Sequence, residues 1–391
     1  MLGRRWVLAA TMSLVLAASS ATAALASKAP DARPGVTAAL RQAMGELTRM
    51  PGGPPAVAVV IQRGRVRHFY HVGAAVIGGR APRITDHLRV GSISKAFNGA
   101  VALALVDRGV LHLRDTIGRI LPGLPKRWHR VTLREMLLHT SGLPNFTAST
   151  KYGQALVAAP QHPPRPRGLL RFVAHDPLDF PAGTKYEYSN TDNVIVALMV
   201  QKVTGRSYFH EMERLVLRPL HLGQTSMPRG SALPRPYIHG YDLDEKTNRP
   251  TDDVSHLVGV GWFWASGAVV STPANVNRFV RGYVSGRLFS PHLRRIWHRM
   301  FIPASGSEPA GPGFESAGPG VFRYQTPCGT VYGHTGNLFG YTNFALSTLS
   351  GSRSATVSVS IQSTQQGVGQ KARVFSALSR VVQAAVCTAT R

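Results

Sequence analysis

The sequence contains few acidic side chains. Aspartate and glutamate together number 19 against 45 lysines and arginines in 391 residues, which gives a formal net charge of +26. A chain this basic suggests a polyanion as a partner. The excess charge is spread along the chain without long blocks of like charge, and no nucleic-acid recognition motif is present. We therefore expect no nucleic-acid binding, and we expect a basic surface suited to an anionic cell-wall polymer.

Long apolar runs are also lacking, except at the N-terminus. Arg4 and Arg5 precede an apolar run over residues 6–18, and small-residue cleavage sites follow at residues 21–23 or 24–26. The run is shorter than the roughly 20 apolar residues that a membrane-spanning helix needs. The pattern predicts a signal peptide over residues 1–26, a secreted or extracytoplasmic protein, and a mature chain without a stable membrane anchor.

Cysteine is scarce as well, since Cys328 and Cys387 are the only two. In an exported chain an even count favours one disulfide, and two buried free thiols are the alternative. No cluster of cysteine and histidine suggests zinc, and His210-Glu211 lacks the second histidine of a zinc-protease motif. The G-x-S-x-G nucleophile motif is absent too. We therefore expect no metal and no cofactor.

The remaining pattern is that of a globular protein with strands near both ends. Apolar residues make up 43% of the chain. Strand patterns with a tight turn between them predict a hairpin over residues 56–72, and helical patterns dominate from 113 to 220. Further strands are predicted at 321–325, 341–349 and 355–362, followed by a helix over 371–386. These elements predict an α+β fold in which a helical insertion interrupts one antiparallel sheet.

A serine and a lysine stand at the start of the most apolar helical stretch. Ser92 and Lys95 are three residues apart, so they share one face of a helix that is predicted to end at Asp107. A lysine beside a serine can activate the hydroxyl as a nucleophile, and S-x-x-K is the nucleophile motif of penicillin-binding proteins and class A β-lactamases. Alone, the same spacing also fits a helix cap beside a surface lysine.

Two downstream motifs add polar groups that could complete a site. Tyr188 and Asn190 alternate on a predicted loop, where a tyrosine with its pKa lowered by nearby cations can act as a base and an amide can orient a carbonyl. His334, Thr335 and Gly336 lie between strand candidates, and Gly336 would let a ligand approach the backbone. Alone, these motifs also fit a buried tyrosine, a helix cap and a turn.

The three motifs in this order resemble the serine β-lactamase and penicillin-binding-protein superfamily. The closest likeness is to secreted D-alanyl-D-alanine carboxypeptidases of actinomycetes and to class C β-lactamases, and the stretches 137–144, 180–183 and 264–272 match as well. The resemblance implies a five-stranded antiparallel sheet flanked by helices, joined to an all-helical domain. We place the sheet domain at 31–90 and 255–391 and the helical domain at 91–254. The pairing of Cys328 with Cys387 also resembles the carboxypeptidase branch.

The resemblance implies a role for each motif residue. Ser92 would be acylated, Lys95 would be the cation that keeps it reactive, and Tyr188 would be the general base. Asn190 would hold the substrate amide, and the backbone N–H groups of Ser92 and Asn337 would form the oxyanion hole. Further roles concern the substrate: Trp264 would form one cleft wall, and His334, Thr335 and Gly336 would face a substrate carboxylate.

The identity of the cation that binds this carboxylate is open. His334 replaces the lysine of most superfamily members, and as a cation it would make kcat/KM fall as pH rises through its pKa. Arg323 is the nearest candidate for an arginine that carboxypeptidases carry on the preceding strand, although a shift of one residue would place Phe322 there. Related esterases and amidases lack this cation.

The resemblance implies an exported serine D-alanyl-D-alanine carboxypeptidase that is acylated by β-lactams and acts as a monomer on small peptides. A β-lactamase, an esterase or a D-amino-acid amidase on the same scaffold is the alternative. A non-catalytic penicillin-binding scaffold is a further one, disfavoured because Ser92, Lys95, Tyr188 and His334 are all present.

Overall fold

The computed structural model describes residues 34–244, 246–304 and 306–391, so the predicted signal peptide lies outside the described residues. The strands are β1 Ala56–Arg63, β2 Val66–Gly73, β3 Leu88–Arg89, β4 Tyr241–Leu243, β5 Pro250–Asp253, β6 Val270–Ser271, β7 Ile302–Pro303, β8 Phe314–Gly318, β9 Val321–Thr326, β10 Gly329–Leu338, β11 Tyr341–Ser347 and β12 Arg353–Val359. The helices are α1 Pro34–Arg49, α2 Ile93–Asp107, α3 Ile117–Ile120, α4 Leu133–Leu137, α5 Thr150–Ala158, α6 Asn190–Thr204, α7 Tyr208–Met212, α8 Pro273–Val284, α9 Pro291–His298 and α10 Gln370–Thr390.

The main sheet is antiparallel and is built from both ends of the chain. Its strand order is β2-β1-β12-β11-β10-β9-β8-β7. The predicted α+β fold with an antiparallel sheet and flanking helices is therefore confirmed. The sheet has eight strands rather than the expected five, because the chain after residue 301 adds β7, β8 and β9 beyond β10.

Helices cover both faces of this sheet. On one face, α10 packs on β1 and β12, and α1 packs on α10. On the other face, α8 packs on β1, β11 and β12, while α2 reaches β10 and also packs against α6. A sheet with two apolar faces is stable only when both are covered in this way.

Helix α2 is buried on all sides because its sequence offers no polar face. Residues Ile93 to Leu105 are all buried, and alanine, leucine and valine dominate its second half. A helix without a polar stripe belongs in the interior. Of the helices between β3 and β4, α6 and α7 pack against it. The short hairpin β4–β5 falls in the range predicted to be helical. The division into two domains stays a prediction.

The predicted disulfide is confirmed. Cys328 lies in the turn between β9 and β10, and Cys387 lies near the end of α10, with 59 residues of separation and the two Cα atoms 5.1 Å apart. The bond ties the C-terminal helix to one end of the two strands. Among the described residues no helix is long and apolar enough to cross a membrane.

Candidate active site

Ser92 stands at the N-terminus of α2, where its hydroxyl is not used as a helix cap. The residue has helical backbone angles, and its side chain makes no capping hydrogen bond. Lys95, one turn further on, places its Nζ 3.0 Å from Ser92 Oγ. The two side chains therefore form the predicted pair, and Ser92 is only half-buried.

Lys95 is completely buried, and this burial changes its chemistry. Its Nζ donates a hydrogen bond to the Ser266 carbonyl at 2.8 Å and lies 4.8 Å from the centre of the Tyr188 ring. Burial lowers the pKa of Lys95 to about 7, although Glu308 and Asp192 oppose the shift. A large share of the amine is therefore neutral near neutral pH, with a lone pair facing the Ser92 hydroxyl.

Tyr188 lies against the same pair, but its pKa is shifted in the opposite direction. Its buried hydroxyl interacts with Ser92, without a hydrogen bond of ordinary geometry to any described residue. Burial raises the pKa of Tyr188 far above its usual value, and the interaction with Ser92 opposes this only in part. The expectation that nearby cations lower its pKa is therefore wrong. The phenol stays protonated and is suited to donating a proton.

His334 closes the cluster from β10, and it is neutral. Its ring is buried with its centre 6.3 Å from that of Tyr188, and its Nδ1 contacts the Thr335 carbonyl. Burial, and after it the nearby Lys95, lowers the pKa of His334 to about 3. The expectation of a cation that titrates near neutral pH is wrong, because the interior disfavours a second positive charge beside the lysine.

Arg323 does not supply a cation to this cluster. On β9 its Nη2 donates to Ser316 Oγ at 3.1 Å, and its guanidinium lies over the Phe301 ring. The neighbouring Phe322 instead stands edge-on to His334, with the ring centres 5.1 Å apart. The shift of one residue thus places a phenylalanine where the arginine was expected. In the described part of the chain no arginine hydrogen-bonds to Ser92, Lys95, Tyr188 or His334.

Two glycines allow β10 to approach the start of α2. A Cβ on Gly336 would lie 2.0 Å from the Val90 carbonyl oxygen, and one on Gly91, whose φ is +55°, would lie 2.7 Å from Asn337 N. These contacts are too short for any side chain. The β9 pairing ends at Gly333, so the β10 edge beyond it faces Ser92. The backbone at Asn337 therefore runs close beside the backbone at Gly91 and Ser92, and the oxyanion hole expected from their N–H groups stays a prediction.

The other predicted substrate-binding residues are Asn190, Thr335 and Trp264, and none of them has a hydrogen bond to Ser92 or Lys95 among the described residues. The Asn190 amide nitrogen donates to Thr147 Oγ1 at 2.8 Å, which leaves its oxygen for a ligand. Thr335 is buried, and its hydroxyl has no hydrogen-bond partner among the described residues. Trp264 is only 6% exposed and packs against Tyr208. The role of Trp264 as a wall of the cleft stays a prediction. The turn at 264–266 also contributes the Ser266 carbonyl, which accepts a hydrogen bond from Lys95.

A buried polar group behind Tyr188 was not foreseen as part of the site. His139 Nδ1 lies 2.8 Å from Asp192 Oδ2 and also accepts a bond from the Ser189 amide, while Ser141 donates to Asp192 Oδ1. Burial raises the pKa of Asp192 and lowers that of His139 to about 3. The ring centre of His139 lies 4.6 Å from that of Tyr188, so this pair fixes the tyrosine.

The only sequence signal for the polar group behind Tyr188 was the matching stretch 137–144, which contains His139 and Ser141. In the described part of the chain no group of three or more histidine, cysteine or acidic side chains could hold a metal.

A serine bonded to a buried lysine of near-neutral pKa, beside a protonated tyrosine, is the arrangement of a serine hydrolase. Residues 36–372 match the β-lactamase family, and the chain belongs to it. The members of this fold family are serine hydrolases, and this chain is one of them.

Solved structures of similar proteins cover most of the chain. A D-stereospecific amidohydrolase from Streptomyces sp. is 27% identical, with a TM-score of 0.74 over 88% of this chain and 98% of the other. A D-amino acid amidase from Ochrobactrum anthropi SV3 is 19% identical, with a TM-score of 0.76 over 90% and 98%. At that identity the second likeness concerns the fold alone.

The curated relatives are longer proteins. Protein flp from Staphylococcus aureus (strain N315) is 28% identical over 42% of this chain and 32% of its own length. Penicillin-binding protein 4* from Bacillus subtilis (strain 168) is 24% identical over 61% of this chain and 53% of its own length. The chain thus spans about a third to a half of these relatives.

Proposed function

We propose that this chain hydrolyses amides of D-amino acids through an acyl-enzyme on Ser92, with a leaving group that carries no carboxylate. The carrying observation is the missing cation: Phe322 occupies the expected arginine position, and His334 is neutral. A carboxypeptidase must hold a terminal carboxylate, and a buried carboxylate without a cation is costly. The likeness to a D-stereospecific amidohydrolase supports the D-amide class.

The chemistry follows from the protonation states. Neutral Lys95 takes the proton of Ser92, and the oxygen attacks the amide carbon. The Ser92 and Asn337 amides stabilise the tetrahedral oxyanion, which is worth a few kcal/mol of barrier in other enzymes. Tyr188 gives its proton to the leaving nitrogen and regains one from the Lys95 ammonium. Water then hydrolyses the acyl-enzyme by the same steps in reverse.

Two glutamates, Glu308 and Glu315, interact electrostatically with this cluster. Glu308 interacts electrostatically with both Lys95 and Tyr188, and it is accessible to solvent. The Tyr186 hydroxyl bonds to the Gly306 carbonyl at 3.1 Å, which holds the loop that carries Glu308 beside the site. Glu315 lies next to this loop and accepts a bond from Ser307. Burial raises the pKa of Glu315 to about 7, so Glu308 is the carboxylate that favours a substrate with a positive group, and the free α-ammonium of an amino acid amide provides one.

The test is a substrate panel with a charge variant. The intact enzyme should release ammonia from D-alaninamide and D-phenylalaninamide faster than from the L-amides. It should release little D-alanine from a diacyl-D-Ala-D-Ala peptide. Glu308→Gln should raise KM for D-amino acid amides about tenfold and should leave KM for N-acetylated amides unchanged, because they lack the ammonium.

Glu187→Gln is the matched control, because Glu187 is an exposed carboxylate of the neighbouring segment that pairs with Lys185. Equal effects of both variants, or of Glu308→Gln on acetylated and free amides, would remove the role of Glu308. Rapid D-alanine release with inert D-amides would remove the amidase proposal itself.

The D-alanyl-D-alanine carboxypeptidase is then the function to consider. The observation in its favour is the Thr335 hydroxyl, which has no hydrogen-bond partner among the described residues and is free to donate one to a substrate carboxylate. In either case we propose an extracytoplasmic monomer, which the disulfide supports for the compartment.

The pH profile should report Lys95 and not His334. Since Lys95 acts as a base only when neutral, kcat/KM for a neutral N-acetylated amide should rise about tenfold per pH unit below its pKa of about 7 and level off above it. His334 is neutral above about pH 3, so it adds no decline on the alkaline side. Steady-state rates between pH 5 and pH 9 test this. A decline through pH 6–7 would restore a cationic His334.

A further inference from the structure

A second polar cleft lies between the edge strand β2 and the helix α8. It has a volume of about 200 Å³ and is lined by Gln62, Arg65, Arg67, Ala274, Asn277, Arg278 and Arg281. The α8 members are spaced by three, four and seven residues, so they form one face of the helix. Arg67 pairs with Gln62 across the two strands. The cleft thus has arginines on both walls, and its lining includes the buried amide side chains of Gln62 and Asn277.

The four arginines of this cleft lack negative partners. None of them forms an ion pair among the described residues. Arg281 Nε donates to the Gly351 carbonyl at 2.7 Å, and Arg278 Nη1 donates to the His221 carbonyl at 2.9 Å. These carbonyls fix the guanidiniums without neutralising them, and each keeps further N–H donors. Burial, followed by the neighbouring Arg287, Arg278 and Arg67, lowers the pKa of Arg281, which shows that positive charges are crowded here.

We propose that this cleft binds the phosphate groups of a flexible anionic polymer. Guanidinium groups match phosphate oxygens in paired hydrogen bonds, and donors converging from two walls suit a group with several oxygens. Like charges held together without acids repel one another, and a bound phosphate removes that repulsion. The narrow cleft admits a single phosphate group of a flexible strand, whereas a rigid nucleic-acid duplex needs a broad surface.

The position of the cleft allows the polymer and the substrate to bind together. In the sheet order β2 and β10 are four strand steps apart, roughly 19 Å at about 4.8 Å per step. No residue of the cleft belongs to the Ser92 cluster. The cleft would therefore hold the enzyme on a polymer while the catalytic site stays open.

The test is titration calorimetry of the purified chain with inorganic phosphate, tripolyphosphate and poly(glycerol phosphate) at low and moderate salt. We expect the polymer and tripolyphosphate to bind more tightly than phosphate, with an affinity that falls as salt rises. The double variant R278Q/R281Q should lose at least about tenfold in polymer affinity and should keep its activity on D-amides.

The matched control is R167Q/R171Q, which removes two charges from a separate surface containing Arg127, Arg167 and Arg171. Retained affinity in this control with loss in the cleft variant supports the site. Equal loss in both variants would assign binding to net charge alone and overturn the proposal. Binding of phosphate but not of the polymer would also overturn it, in favour of a small-anion site. Circular dichroism of all variants verifies their folding.

Discussion

Ser92→Ala should abolish amide hydrolysis, with kcat/KM lowered by about 10⁴-fold or more. The reason lies in the position of its oxygen, which is 3.0 Å from Lys95 Nζ at the start of α2. Alanine removes the atom to which the acyl group must bond, and no other described group stands at that place. The fold should be retained, because the Ser92 hydroxyl makes no helix-capping bond.

Intact-mass spectrometry with benzylpenicillin provides the direct measurement. The native chain should gain one penicilloyl group on a peptide that contains Ser92, or hydrolyse the drug if deacylation is fast. Ser92→Ala should do neither. Ser376→Ala is the control, since Ser376 is exposed on α10 and bonds only to the Ala372 carbonyl. A penicilloyl group that persists in Ser92→Ala would place the nucleophile elsewhere.

Much of the fold could be predicted because regular patterns decide it. The hairpin over 56–72 is observed as β1 and β2, and the last predicted helix is α10, with ends that differ by a few residues. The helix predicted from Ser92 to Asp107 is α2. In each case the apolar positions repeat with the period of the element, so local sequence and tertiary burial agree.

The strands around the site were harder to predict for a physical reason. β10 contains Gly329, Gly333 and Gly336, residues that weaken a strand pattern. A Cβ on Gly333 would lie 1.8 Å from the Ala345 carbonyl, so packing against β11 requires the glycine. β8 and β7 lie within or beside a Gly-, Pro- and Ser-rich segment that indicates a loop. The glycines and the loop-like composition that shape the strands beside the site therefore also make these strands hard to recognise from the sequence.

The protonation states could not be predicted from motifs, because they depend on burial. The motifs identify Lys95, Tyr188 and His334 as site residues. With ordinary pKa values the lysine would be a cation, and the histidine would change its charge near neutral pH. In the folded chain all three are enclosed, so the interior favours the neutral form of each. In the proposed mechanism the lysine is therefore the base and the tyrosine the proton donor, whereas the resemblance implied a tyrosine base beside a cationic lysine.

Lys95→Arg should reveal the lysine base by lowering kcat/KM about 10³-fold, although the positive charge is kept. An arginine stays protonated at any working pH and cannot accept the Ser92 proton. If Lys95 were only a stabilising cation, the arginine variant would retain most activity and the neutral Lys95→Met would lose it. If Lys95 is the base, both variants fail alike. The measurement is kcat/KM for an N-acetylated D-amide, with the rate of penicilloylation as a second reading.

The discriminating control is recovery by an added base. A small primary amine should restore part of the activity of Lys95→Ala, where space is left beside Ser92 Oγ, and should do little for Lys95→Arg, where the guanidinium fills that space. The restored rate should rise with the pKa of the amine, as expected when proton transfer takes part in the rate-limiting step. Full activity of Lys95→Arg would instead return the task of base to Tyr188 and would require its phenolate to form despite burial. The lysine and tyrosine roles are thus separated by one substitution that preserves charge and one that removes it.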